Sequence, residues 1–307
     1  MAKITMKRLF IIVALLFTVG ATSAQEVATT GLSLQDYIGI QCVIQKKVAT
    51  GYDRVYAVAE LADGTATEIE AIVYMTSYYV FDVPMLSNQM SEEVTVTLYG
   101  VKGEDVYKGA STTTSVQAQC MTRLNNANQN ATTKRICADM LNYGAAVQTA
   151  FNHNTDNLAN ALMTEAHQAF ATQETPVTEA TDTVTGTGKK NPMQVSLSLR
   201  DKVEMQFIFA KGSMSAYEAH ITVDGETTVV DGADFDSYGG YPLLRIAVKA
   251  ANMRASYQVT LHEKATGEQV SKTYTNSVQA YANSQLGKTY NDLVIAMMKY
   301  GDAVAAL

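Results

Sequence analysis

The sequence predicts an α+β fold: two tandem antiparallel β-sandwich-like modules, each followed by a packed helical hairpin. Three observations predict it. Segments of the first half recur in the second half in the same order. Stretches rich in Val, Ile, Tyr and Thr are broken by Asp-Gly and Lys-Gly pairs, the turn chemistry that joins antiparallel neighbours. Each half then closes on a helical apolar stripe containing Tyr-Gly.

The recurrence is internal to the chain. LSLQD (32–36) matches LSLRD (197–201) at an offset of 165 residues. VTVTLYGVKGEDV (94–106) resembles YQVTLHEKATGEQV (257–270) at about 163, and SVQA (115–118) matches SVQA (277–280) at 162. The Tyr-Gly pairs, Tyr143-Gly144 and Tyr300-Gly301, follow at 157. The offset shrinks where the second copy has shorter loops.

The chain begins with the three parts of a secretory leader. Lys3, Lys7 and Arg8 are basic, Leu9 to Val19 is apolar, and Thr22-Ser23-Ala24 supplies small residues. Cleavage is expected after Ala24, giving a leader at 1–24. The apolar run of about eleven residues is short for a bilayer span. No later run reads as a span, so an exported chain without a transmembrane segment is expected, secreted or at the extracellular cell surface. The leader holds three basic and no acidic residues, so its loss takes the formal net charge from −7 to −10. An acidic surface repels phosphate backbones and argues against nucleic acid as a partner.

The first module, 25–171, reads as strands at 37–46, 53–62, 67–74, 78–83 and 92–100, broken at Asp63-Gly64 and Lys102-Gly103. Ser115 suits the N-cap of a first short helix, and Thr132 or Thr133 that of a second. In the second helix Ile136, Met140, Tyr143, Val147 and Phe151 fall on one face. Residues 155–170 read as one more helix. TQETPVTEATDTVTGTGKKNP (172–192) lacks apolar periodicity and reads as a Thr/Gly-rich linker. The second module, 193–307, reads as strands at 193–200, 203–210, 217–223, 226–231, 241–249 and 255–263, with turns at Asp224-Gly225 and Thr266-Gly267. Ser277 suits its first helix cap, and Leu293, Met297, Tyr300, Val304 and Leu307 repeat the stripe.

A glycine inside a helix costs about 1 kcal/mol relative to alanine. Gly144 and Gly301 interrupt patterns that continue beyond them. The favoured reading is close approach, in which a missing Cβ lets the helix lie tightly on its neighbour. The alternative, a glycine closing the helix, leaves Ala145-Ala146-Val147-Gln148 as a non-helical tail against its propensity.

ADMLNYGAAVQTAFNHNTDNLAN (138–160), TVTGTG (183–188) and SLSLRDKVEMQFIFA (196–210) resemble a tandem pattern in large secreted proteins of clostridia-type gut bacteria. There a β-rich module ends in a helix pair with a similar Tyr-Gly-Ala-Ala-Gln stretch, and a second module follows a Thr/Gly linker. The resemblance covers most of 32–307. It implies export and an extracellular role, and transfers no catalytic residue.

Chemistry-bearing motifs are sparse. His153, His167, His220 and His262 stand at no metal-ligand spacing from another His or Cys. No nucleophile elbow or phosphate loop occurs. No catalytic residue and no cofactor is called. Asp231, Asp234 and Asp236 lie near glycines, and a loop of oxygen ligands of this kind is a Ca²⁺ candidate, although Asp-Gly turns explain most of the stretch. Cys120 and Cys137 fall on the two helices of the first hairpin, where export permits a disulfide; two buried thiols are the other possibility. Cys42 reads as core. Trp is absent among 307 residues that include 17 tyrosines. YMTSYYVFDV (74–83) and DSYGGYPLL (236–244) can present Tyr78, Tyr79, Tyr238 and Tyr241 to a surface glycan or protein, or serve as ordinary two-sided strands. The expected function is a secreted or cell-surface structural or adhesive binding protein without catalytic activity. A carbohydrate-binding module is the second reading and a secreted hydrolase the third.

Overall fold

Period-two alternation of apolar residues builds the inner sheet faces of this protein. The computed structural model describes residues 29–33, 37–74, 76–174 and 179–307. The leader expected at 1–24 lies outside the described residues. The first half carries β1 (Thr29–Ser33), β2 (Gly39–Gln45), β3 (Arg54–Leu61), β4 (Ala66–Glu70), β5 (Ile72–Tyr74), β6 (Tyr78–Pro84), β7 (Val94–Lys102) and β8 (Asp105–Thr114). Helices α1 (Val116–Asn125), α2 (Ala131–Phe151) and the single turn α3 (Glu165–Gln168) follow. After β9 (Thr183–Thr185), the second half carries β10 (Gln194–Ser198), β11 (Glu204–Ile208), β12 (Tyr217–Val223), β13 (Glu226–Asp231), β14 (Asp236–Tyr238), β15 (Tyr241–Ala247), β16 (Tyr257–Glu263) and β17 (Thr273–Asn276). Helices α4 (Val278–Gln285) and α5 (Asn291–Ala305) end the chain.

The described residues form two compact units. Among the described residues, one comprises 29–33, 39–74, 76–84 and 92–119; the other comprises 37–38, 85–91, 120–174 and 179–307. The first unit holds two antiparallel sheets, ordered β1-β2-β6-β5 and β4-β3-β7-β8. Ile40, Cys42 and Phe81 from one sheet and Ala57, Val96 and Leu98 from the other are buried. The second unit holds sheets ordered β10-β11-β15-β14 and β13-β12-β16-β17-β9. The same strand order therefore occurs in both, with β9 added at one edge. In the second unit, Met205, Phe207 and Leu244 from one sheet and Ala219, Val259 and Leu261 from the other are buried. Phe207 meets Tyr274 edge to face at 6.3 Å. Burying each large apolar side chain stabilises by about 1.5–3 kcal/mol, so these alternating faces hold the sandwiches together. The fold is α+β: tandem antiparallel sandwich modules, each followed by a helical hairpin.

Turn chemistry sets the register. Val223 pairs with Glu226 across Asp224-Gly225, and both turn residues are left-handed, with φ of 51° and 82°. That is the two-residue turn whose twist matches antiparallel strands.

Several expectations are corrected. The run expected at 67–74 is two strands, β4 and β5, which join different sheets. β8 was not expected as a strand; it is polar and largely exposed. It is secured by hydroxyl pairs, Thr95 with Thr113 and Thr97 with Ser111, each at 2.8 Å. Asn130, not Thr132 or Thr133, caps α2, its side chain accepting from the Thr133 amide at 2.8 Å. Ser115 and Ser277 cap their helices, accepting from the amides of Ala118 and Ala280 at 3.0 Å. The stretch 155–170 is a series of turns with helix only at Glu165–Gln168. Gln148 holds it there: its Oε1 accepts from the Ala159 amide at 2.7 Å and its Nε2 donates to the Asn157 carbonyl at 3.1 Å. Within 172–192, β9 pairs with β17, and Gly188 packs so closely that a Cβ would lie 2.3 Å from the Ser271 backbone.

Candidate functional site

The helices of the second unit explain the Tyr-Gly pairs. Ile136, Met140, Tyr143 and Val147 of α2 are buried, as are Leu293, Met297, Tyr300 and Val304 of α5. Leu307 departs from the expected stripe: it follows the helix end and is 41% exposed. The Tyr143 and Tyr300 rings stack on one another, with centroids 5.8 Å apart. Gly144 and Gly301 lie inside their helices. A Cβ on Gly144 would stand 2.6 Å from Met90 Sδ and 2.9 Å from Ala159 Cβ. On Gly301 it would stand 2.8 Å from Met253 Sδ and 3.0 Å from the Ala250 carbonyl oxygen. Met90 and Met253 follow 3-10 turns at Ser87–Gln89 and Ala250–Asn252. Sequence reasoning missed this methionine pair, although SNQM and AANM recur at 163, the offset of the neighbouring segments.

The tyrosines expected to form a surface lie on one hairpin in each unit. In β5–β6, Tyr74 faces Tyr78, and Lys46 Nζ lies 5.2 Å from the Tyr79 ring centroid. In β14–β15, Tyr238 faces Tyr241, and Lys211 Nζ lies 4.9 Å from the Tyr241 ring. Tyr238 is 64% exposed, and Tyr78, Tyr79 and Tyr241 are half-buried. Both hairpins therefore pair tyrosines across the strands and set a lysine over a ring, a contact worth about 0.5–1 kcal/mol at exposed sites. Lys46 and Lys211 stand 165 residues apart, the offset of the adjoining strands.

A polar cleft of about 330 Å³ opens in the second unit between α2, α5 and residues 168–173. Asp139 is buried at its edge. The Thr172 amide and hydroxyl donate to its two oxygens at 2.9 and 2.7 Å. Burial raises its pKa above the usual carboxylate value, against the pull of those bonds and of Lys299 and Arg135. Asn142 Oδ1 accepts from Asn160 at 2.9 Å and from Gln168 at 3.1 Å, and Asn142 Nδ2 donates to Gln168 Oε1 at 2.9 Å. Asp292, Ile295, Ala296 and Lys299 face the cleft from one side of α5, at the spacing of successive helical turns.

The remaining candidates separate. Asp231 caps a 3-10 turn and pairs with Lys264 at 2.5 Å, while Asp236 pairs with Arg245 at 2.9 Å. Their carboxylates are thus committed to different cations, and Asp234 is exposed. Among the described residues no group of three or more His, Cys, Asp or Glu converges as a metal site. Cys42, Cys120 and Cys137 are buried free thiols. Burial pushes the Cys42 thiol up to about 12 and the Cys120 thiol well above its ordinary value, the latter helped by a hydrogen bond with Cys137. Two histidines with no sequence relationship meet on the sheet: the His220 and His262 rings stack at 3.9 Å. Glu218 lies 2.8 Å from His220 and Thr260 lies 3.0 Å from His262. The β12–β16 register brings them together. No helix among the described residues is long and apolar enough to cross a membrane.

No family model and no curated protein matches the chain. Among solved structures, a two-domain fibronectin type-III segment of chicken tenascin matches at 10% identity and a TM-score of 0.19, over 82% of this chain and 98% of that one. The C2A and C2B domains of extended-synaptotagmin 2 match at 8% and 0.26, over 90% and 88%. A pullulanase from Anoxybacillus sp. LM18-11 matches at 8% and 0.18, over 78% of this chain and 25% of that one. Likenesses this low carry no argument about function.

Proposed function

We propose that this chain is an exported, non-catalytic binding protein of the extracellular cell surface, made of two copies of one module that each present a tyrosine hairpin to a surface partner. One observation carries the reading. A tyrosine pair across the strands recurs in both units, Tyr74 with Tyr78 in one and Tyr238 with Tyr241 in the other, and each hairpin carries a lysine over one ring, Lys46 over Tyr79 and Lys211 over Tyr241. A core requirement does not explain this recurrence, because Tyr238 is mostly exposed and Lys211 is exposed. Rigid rings give large contact area at low entropic cost, and hairpin ends tolerate the variation that specificity needs.

The 64% exposure of Tyr238 favours a glycan as the second reading, since a flat ring stacks on the C–H face of a sugar. The test is binding of the purified chain to immobilised surface polysaccharides and extracellular proteins, with Tyr238→Ala and Tyr241→Ala beside it. Binding to one of them that weakens in the variants, with thermal unfolding unchanged, is the expected result. Turnover of a polysaccharide or peptide that a single Asp, Glu, Ser or His substitution abolishes contradicts the reading.

A further inference from the structure

We propose that the cleft between α2, α5 and residues 168–173 is a second binding site, separate from the hairpins, for a single neutral saccharide unit. Its volume of about 330 Å³ lies at the lower end of the roughly 300–1,000 Å³ typical of small-ligand pockets. Its walls are fixed before any ligand arrives. Thr172 clamps Asp139 through both carboxylate oxygens, and the Asn160–Asn142–Gln168 chain orients its amides. Gln173 ties its own amide to the carbonyls of Gln168 and Ala171, at 3.3 and 2.7 Å. Rigid polar walls of this kind cost little to organise on binding.

The lining selects among ligand classes. Lys299 is half-buried, and its ammonium makes no hydrogen bond or ion pair among the described residues. It offers donors, and Asp292 across the same helix face offers acceptors. An anionic ligand meets two carboxylates, Asp139 and Asp292, against one ammonium. An apolar ligand covers the Lys299 ammonium without pairing it, at a cost of at least about 1–3 kcal/mol. A polyol satisfies both constraints, because every hydroxyl donates and accepts. Ile295, Ala296 and Ala171 supply the apolar wall for its C–H face. The spacing of Asp292, Ile295, Ala296 and Lys299 keeps polar ends and apolar centre in one stripe of α5.

The test uses the full chain with D-glucose, D-galactose and N-acetyl-D-glucosamine as probes, with glycine and L-glutamate alongside, measured by ligand-observed NMR and calorimetry. At least one sugar is expected to bind, and Lys299→Met and Asp292→Asn are each expected to weaken it by about tenfold, the loss of one good hydrogen bond. Asp292 is exposed, so its variant reports even where Lys299→Met unfolds the chain. Sugar binding that survives Asp292→Asn and is lost in Tyr238→Ala belongs to the hairpins and overturns this proposal, which separates the two sites. Binding of none of the three sugars, binding insensitive to Asp292→Asn, or binding of the amino acids in their place overturns the proposal.

Discussion

Tyr143 and Tyr300 stack with their planes 13° from parallel and both rings buried, yet among the described residues only Tyr143 has a partner for its hydroxyl. Ser87 Oγ donates to Tyr143 at 3.2 Å, whereas the Tyr300 hydroxyl has no hydrogen-bond partner among the described residues. A buried unsatisfied polar group costs about 1–3 kcal/mol. Tyr300→Phe should therefore leave stability unchanged or raise it, while Tyr143→Phe should lower it by about 0.5–1.5 kcal/mol. Denaturant unfolding of the two variants checks the order. The reverse ranking means that the Tyr300 hydroxyl is satisfied in solution.

The same burial makes stability depend on alkaline pH. Desolvation pushes the Tyr143 hydroxyl up to about 12 and that of Tyr300 further in the same direction. In the unfolded chain both titrate near 10. The folded state then holds its protons while the unfolded state releases them. This contribution is complete below pH 10 and is lost as pH rises through 12, at roughly 1.4 kcal/mol per tyrosine per pH unit. Urea midpoints from pH 9 to 11.5 should fall less steeply in Tyr300→Phe than in the parent. Equal slopes argue against buried tyrosines as the cause.

The helix glycines should resist enlargement. Gly144→Ala gains about 1 kcal/mol of helix propensity but drives a methyl against Met90 and Ala159. Overpacking costs about 1–3 kcal/mol, so a net loss is expected, and Gly144→Leu should lose more. Gly301→Ala meets the fixed Ala250 carbonyl, so flexing of Met253 alone does not relieve it. Stabilised Gly144→Ala together with neutral Gly144→Leu shows an open helix surface there.

Much of this fold was legible because local chemistry decided it. The strands at 217–223 and 226–231 match β12 and β13 residue for residue, since a left-handed Asp-Gly turn sits between alternating runs. Ser115 and Ser277 declared their helix starts by their type. What escaped was set by partners distant in sequence. β8 has little apolar period and owes its place to pairing with β7. His220 and His262 meet only through strand register. The cleft joins Asp139 and Thr172 to a face of α5 more than a hundred residues away, and no spacing rule reaches that far. The hairpin tyrosines were visible as residue types; Lys46 and Lys211 over their rings were not.

The cysteines give a separate check. As buried thiols with raised pKa at Cys42 and Cys120, they should resist iodoacetamide at pH 8 in the native chain, since the thiolate is the reacting form. After unfolding without reductant, all three should alkylate, as counted by intact mass. Alkylation of Cys42 alone reveals a Cys120–Cys137 bridge in the protein.

The central claim is that the protein binds through its hairpins and does no chemistry on what it binds. The most direct measurement is co-sedimentation of the full chain with an insoluble surface polysaccharide, following bound protein and released soluble sugar together over time. The account predicts a saturable bound fraction, no release of soluble sugar, and at least tenfold weaker binding in the Tyr238→Ala, Tyr241→Ala double variant, the loss of roughly 1.4 kcal/mol or more. Steady release of soluble sugar, or a double variant that binds as tightly as the parent, contradicts it.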